Sequence, residues 1–271
     1  MRNLSWIKSI ALGLILSLSI NSSWAGSASP EDNQHDVEVL KSFAKNVERY
    51  AAEQGARAFI IGRVGRPKSQ LPDGVTFTHA AIAVYSQIQL DNGDKVQGYA
   101  VHNLYTKEDD KSKSELVTDY PIDFFWGVHE LKAGIIIPEP ALQQRLIQAI
   151  ARGDNVKVHN AEYSVMSNPF NNEYQNCTEH TLDLINASIY QTTDMAKLKA
   201  NAEAHFQPQR IKTSPITLML GSAFMKDLTM KDHSGKIYTA TFTSIARYLN
   251  NNNLMSEAVL LDENGTVEQL L

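Results

Sequence analysis

Apolar residues recur along this chain at spacings that change from segment to segment, and the changes mark its elements. Val37, Leu40, Phe43, Val47 and Tyr50 fall three or four apart, which predicts a helix over 36–54 with Gly55 as its stop. Residues 58–64 (AFIIGRV) are a short β-like run, followed by a Pro/Gly loop over 66–74. Residues 77–88 and 98–105 read as two strands of a hairpin around the turn signal Asp91-Asn92-Gly93-Asp94. A charged loop spans 107–115, and 116–128 holds a third strand or an irregular lid. Residues 134–137 form a short buried strand closed by Pro138, and 140–152 are an amphipathic helix with Leu142, Leu146 and Ile150 on one face. Residues 156–166 look strand-like, and an Asn-rich loop over 167–176 leads into the periodic run Leu182, Leu184, Ile185, Ile189. A further helix is expected over 193–206, ended by Pro208. The run 215–228 reads as helical, 237–249 is ambiguous between strand and helix, and 250–253 is a turn. The pattern is α+β, with helices at both ends and antiparallel strands between.

The first residues follow a different logic. Arg2 and Lys8 form a positive stretch before an apolar core over 10–20 that is too short to span a bilayer, and Ser23-Trp24-Ala25 offers a small-x-small cleavage site. Residues 1–25 are therefore expected to be a signal peptide cut after Ala25, with a periplasmic or secreted product. Residues 26–35 read as a flexible leader, and 36–271 as one domain with a C-terminal extension from about 191. No later segment has the length and apolarity of a membrane span. The formal charge is −5, and losing residues 1–25, which carry Arg2 and Lys8 and no acidic residue, makes it more negative, which gives no electrostatic case for nucleic acid.

Export changes the meaning of the one cysteine. Exported proteins usually pair their cysteines, yet Cys177 has no partner in the chain. It stands in Asn176-Cys177-Thr178-Glu179-His180, at the predicted start of a helix, where N–H groups and the helix dipole favour a thiolate. A thiolate nucleophile needs a base, and the base needs an orienting partner. His79 lies among small residues in the first hairpin strand, and His102 lies in the second. Cross-strand neighbours on one face would let His102 hold the His79 ring, with Asn103 the alternative only if the face is reversed. The N–H of Cys177 is one oxyanion donor, and Gln175, Asn176 or Tyr163 could supply a second. Glu179 is accounted for by the helix dipole, and His180 reads as a capping or surface group. There is no Cys-x-x-Cys or His-x-x-x-His spacing, so neither a metal nor a cofactor is expected.

The order His strand, polar strand, Cys helix resembles the circularly permuted NlpC-type branch of the papain-like fold. That branch includes lecithin:retinol acyltransferase-like proteins and bacterial permuted amidases and peptidases. The segments FTHAAIAVY, YAVHNLY and YQNCTEHTLDLINASIY also resemble a family of secreted bacterial proteins known as a domain of unknown function. The resemblance covers roughly residues 55–190. It implies an antiparallel sheet packed on a helix that carries Cys at its N-terminus. It implies Cys177 as nucleophile, His79 as base and His102 as orienter. The implied function is a cysteine hydrolase or acyltransferase acting on amide or ester bonds of a cell-envelope peptide or lipid. The alternative is an inactive envelope binding or accessory protein with the same fold.

Overall fold

The computed structural model describes residues 34–89, 93–212 and 227–271. The expected signal peptide, most of the expected leader, part of the Asp91–Asp94 turn and most of the run over 215–228 lie outside the described residues.

Helix α1 (Val37–Glu53) starts at Asp36, whose carboxylate accepts from the N–H groups of Glu38 and Val39. It leads into β1 (Ala58–Val64), and the hairpin follows as β2 (His79–Gln89) and β3 (Lys95–Thr106). Of the two alternatives for 116–128, the strand is present as β4 (Ser114–Asp119), and a single helical turn, α2 (Pro121–Phe124), follows it. Next come β5 (Glu130–Pro138), α3 (Pro140–Ala151) and the short α4 (Asp154–Lys157). The helices α5 (Cys177–Tyr190) and α6 (Met195–His205) precede a two-strand ribbon, β6 (Gln209–Arg210) with β7 (Tyr238–Thr239). The ambiguous run ends as α7 (Phe242–Asn251), and the chain closes with β8 (Met255–Asp262) and β9 (Val267–Gln269).

Among the described residues, seven strands make one antiparallel sheet in the order β4-β3-β2-β1-β5-β8-β9. Side chains alternate across it. Ala58, Ile60, Ala80, Ile82 and Ile136 face a core shared with α3, α5, α6 and α7. Phe59, Ile61, Ala81, Ala83 and Ile135 face a second core shared with α1 and the turn at Phe124 and Phe125. The central strands are buried on both sides, so β1 carries no polar alternation apart from Arg63.

The expected strand over 156–166 is not present. Gly153 takes a φ of 70° and opens α4, and the chain after it bonds to loops. Tyr163 N–H donates to the Ser112 carbonyl at 2.8 Å and Val165 N–H to that of Asp227 at 2.9 Å. Only isolated bridges, Lys113 with Glu162 and Tyr163 with Gln175, remain of a strand there.

The chain beyond 190 is not an appendage. It ends on strands, not a helix, and β8 pairs directly with β5 inside the main sheet. Helix α7 is seated by a gap between two glycines. Gly62 and Gly134 are register partners across β1 and β5, and the Phe242 ring lies over both. A Cβ built on Gly62 would meet that ring at 2.8 Å, and one on Gly134 would meet it at 2.5 Å. Burying the ring there contributes about 1.5–3 kcal/mol. None of the helices among the described residues is long and apolar enough to cross a membrane.

Gly134→Ala is therefore expected to cost about 1–3 kcal/mol of unfolding free energy through overpacking. Denaturant titration of the variant checks it, and an unchanged midpoint would show that the glycine pair does not seat α7.

Candidate active site

The β2–β3 ladder runs from Gln89 paired with Lys95 to Ile82 paired with His102, and there it ends. Beyond that point the two strands part, and the first turn of α5 sits at the opening. Cys177 packs there against Leu104 and Tyr163. The Ala80 N–H lies past the last rung with β3, near enough to the Cys177 sulfur to pull the thiol's pKa down. Helix α5 begins as the residue pattern predicts: the Asn176 side chain accepts from the Glu179 N–H at 2.9 Å.

His79 is the first residue of β2 and only 1% exposed. It pairs in register with Arg63 of β1, on the sheet face toward α2. Its Nε2 lies 3.0 Å from Asn103 Oδ1. The Asn103 amide group donates to the Val101 carbonyl at 3.1 Å and to Asp119 Oδ1 at 2.7 Å. Those two acceptors orient the amide so that its oxygen faces the imidazole. An oxygen acceptor requires Nε2 to carry the proton, which leaves Nδ1 with a bare lone pair. Nδ1 is buried and has no hydrogen-bond partner among the described residues. Tyr105 stacks on the ring at 4.8 Å and 13°, and its hydroxyl donates to Asp119 Oδ2 at 3.0 Å.

His102 does not take the orienting place. Its register opposite Ile82 turns it to the other face of the sheet, where Thr118 Oγ1 lies 3.3 Å from its Nδ1. A single position separates the two outcomes, because side chains alternate with period two. Asn103, on the His79 face, makes the contact. Asp119, Tyr105 and Arg63 are the residues that sequence reading missed. Arg63 alone carried a signal: it is the one charge in an otherwise apolar strand.

Arg63 organises this face electrostatically. Its guanidinium donates to the Phe124 carbonyl and lies over the Tyr105 and Phe124 rings at 5.7 and 5.3 Å. Burial, with the Arg63 charge adding to it, holds the His79 imidazole well below its usual range. Burial likewise pushes the Cys177 thiol up, against the Ala80 N–H, the Arg63 charge and the N–H groups of Thr178 and Cys177. The helix start therefore does not produce a lowered thiol here, because desolvation outweighs it. Both groups are held toward their neutral forms at rest, and no hydrogen bond joins the His79 ring to the thiol. Burial raises Asp119 to about 7, although Tyr105 and Arg63 pull it down.

The three auxiliary candidates separate cleanly. Gln175 is fully committed: Nε2 donates to Asp183 and the Val158 carbonyl, Oε1 accepts from Asn160, and its N–H donates to Glu162. The Asn176 amide group donates to the Val165 carbonyl and Thr239 Oγ1. Tyr163 remains: its hydroxyl is buried without a hydrogen-bond partner among the described residues, and its ring touches Cys177. Burial above all pushes that hydroxyl well above its usual range and keeps it protonated. Among the described residues, no group of three or more His, Cys, Asp or Glu could hold a metal ion.

A family model described as "Uncharacterized protein conserved in bacteria (DUF2145)" matches residues 50–249. The chain belongs to this family. No curated protein and no solved structure matches it. The matched span runs well past residue 190, in keeping with a C-terminal region built into the fold.

That region supplies the partners of the most unusual helix in this DUF2145 protein. Helix α5 is buried from Cys177 through Ser188, although it carries Glu179, His180, Asp183 and Asn186. Buried polar groups need partners. Lys199 of α6 gives its ammonium to Glu179 at 2.6 Å and to both Asp183 oxygens at 2.8 and 2.9 Å. Tyr248 of α7 donates to Asn186 at 3.0 Å. Neither earlier reading of the first turn holds. Glu179 is the buried partner of Lys199, and burial pushes its carboxyl up against the pull of that ammonium. His180 is 3% exposed and bonds the Asn155 carbonyl at 3.0 Å. The chain Lys199–Asp183–Gln175 runs to the residues just before Cys177 and fixes where α5 begins.

The Asn103 geometry predicts a His79 ring protonated at Nε2 and bare at Nδ1 across neutral pH. Nitrogen chemical shifts of the imidazole read this directly, and a protonated Nδ1 would refute it. Asp119 keeps its proton in the folded protein at pH values where the unfolded chain has lost it. Wild-type stability relative to Asp119→Asn is therefore expected to fall as pH rises from about 4 to about 7, then level off. Denaturant titrations of both proteins across that window measure the difference. Lys199→Met leaves two buried carboxyls without their cation and is expected to cost about 3–5 kcal/mol. A loss under 1 kcal/mol would remove the network from the account of the fold.

Proposed function

We propose that this protein is an exported thiol hydrolase or acyltransferase, with Cys177 as nucleophile, His79 as base and Asn103 as the residue that orients the base. One observation carries the reading: a buried imidazole has one nitrogen tied to Asn103 and the other bare, next in sequence to Ala80, whose N–H lies near the thiol. In this reading His79 Nδ1 takes the thiol proton as sulfur attacks an ester or amide carbonyl. The tetrahedral oxyanion draws on the Cys177 N–H at the start of α5 and on the Tyr163 hydroxyl. Collapse forms a thioester and expels the alcohol or amine, which takes the proton from His79. Water or a second acceptor then attacks the thioester, giving its proton back through His79, and the acyl group leaves as acid or as a new ester or amide. The low imidazole and raised thiol mean that the ion pair forms only as the carbonyl is attacked.

The circularly permuted papain-like, NlpC-type arrangement is part of the proposal. It is supported by a His strand and an Asn strand that precede the Cys helix in the chain and pack against it. Export to the periplasm or beyond rests on the pattern of residues 1–25, and it makes cell-envelope peptide amides or lipid esters the substrate class in view. A second reading, an envelope accessory protein without turnover, is favoured by the thiol being only 3% exposed.

The two readings differ in what a small ester does. With p-nitrophenyl butyrate, the thiol reading expects a butyryl thioester on Cys177 by mass spectrometry. His79→Ala should slow its formation about 10²–10⁴-fold, and Cys177→Ser should abolish it. Hydrolysis that survives both substitutions sinks the mechanism, and a thiol that is alkylated only after denaturation favours the accessory role.

A further inference from the structure

A pocket of about 50 Å³ opens beside Cys177, and the cysteine forms part of its wall. Leu71, Pro72, Val75 and Phe77 line it from the segment before β2, and Val165, Met166 and Ile211 line it from the other side. No charged side chain is in the lining among the described residues. The polar residues in it are already engaged. Thr78 Oγ1 accepts from the Gly65 N–H at 2.8 Å, and the Thr178 hydroxyl donates to the Ala240 carbonyl at 2.9 Å. Asn176 spends its amide group on Val165 and Thr239, and its oxygen on Glu179 and Thr178. Thr241 caps α7.

Apart from Cys177 itself, a ligand group in this pocket would therefore find no free side-chain donor or acceptor and no counter-charge among the described residues. A carboxylate or ammonium there would be buried without a partner, which is strongly disfavoured. An apolar group would lose nothing and would gain burial. One water-sized occupant needs roughly 10–15 Å³, so the pocket has room for roughly three to five non-hydrogen atoms.

We infer that the group next to the attacked carbonyl is a short uncharged hydrocarbon, such as a small acyl chain or an aliphatic side chain, held between Val75, Phe77 and Met166. This rests on Cys177 being the reactive centre, and it narrows the substrate to donors with an apolar acyl portion. Peptides or lipids with a charged group at that position are excluded.

N-alkyl iodoacetamides test it on the full chain, because alkylation needs the thiol and the pocket but no turnover. Second-order rates of Cys177 modification, each divided by the rate with free cysteine, are expected to rise about fourfold for each methylene that enters, from methyl to propyl, and then to flatten. Iodoacetate should be the slowest reagent. Val75→Phe, at a half-buried position in the loop before β2, should erase the chain-length dependence. Leu71→Phe fills the same space from a second position. Rates that ignore chain length and charge overturn the pocket assignment and leave the thiol mechanism standing. Chain-length dependence together with ester hydrolysis that survives Cys177→Ser keeps the pocket and overturns the mechanism instead.

Discussion

The pairing of Ile82 with His102 sets the rest of the site. It is the last rung of the β2–β3 ladder, and everything chemical lies just past it. Because the ladder stops there, the Ala80 N–H lies past the last rung with β3 and the start of α5 can bring a thiol near it. Because the register is what it is, His79, Asn103 and Tyr105 share a face with Arg63. A slip of one residue would turn every one of those side chains to the opposite core. The sheet is buried on both faces, so such a slip would also bury His102 where Asn103 now sits. The register is held by packing on both sides.

Burial then decides the charge state of the site. Helix starts and nearby cations usually favour a thiolate, and both are present at Cys177. Desolvation outweighs them, and it also drives the imidazole toward its neutral form. A site of this kind stores no ion pair at rest. It offers a neutral base whose lone pair is aimed by the Asn103–Asp119–Tyr105 chain, in a setting where charge developing on a bound substrate is felt strongly.

The third constraint is the polar load on a buried helix. A helix enclosed on all sides would ordinarily be apolar all round. Helix α5 instead carries carboxyls, an imidazole and an amide into the core, and each is answered from outside the hairpin region. Lys199 and Tyr248 come from the part of the chain beyond residue 190, and β8 completes the sheet next to β5. The position of Cys177 is thus set from both ends of the protein: by the hairpin through Ala80, and by the C-terminal region through Lys199, Asp183 and Gln175. The apolar pocket lies between the same two regions, with Val75 on one side and Ile211 on the other.

Local pattern alone determined α1, the hairpin strands, α3, and a helix that begins at Cys177, because each rests on spacing and capping within a few residues. It also singled out His79, a titratable group in a run of small apolar residues. Register across strands was beyond it: nothing near His102 or Asn103 says which faces His79, since that depends on pairing with residues some twenty positions away. The strand expected at 156–166 failed for a similar reason, as alternation makes a strand only when another strand is present to receive its hydrogen bonds. The roles of Glu179, Asp183 and Arg63 were equally out of reach, because a charge reads as a solvated surface group until the core closes around it. The residue types at the site were written in the chain. Which of them meet, and in what charge state, was decided by tertiary packing, because register and burial are set by contacts far apart in sequence.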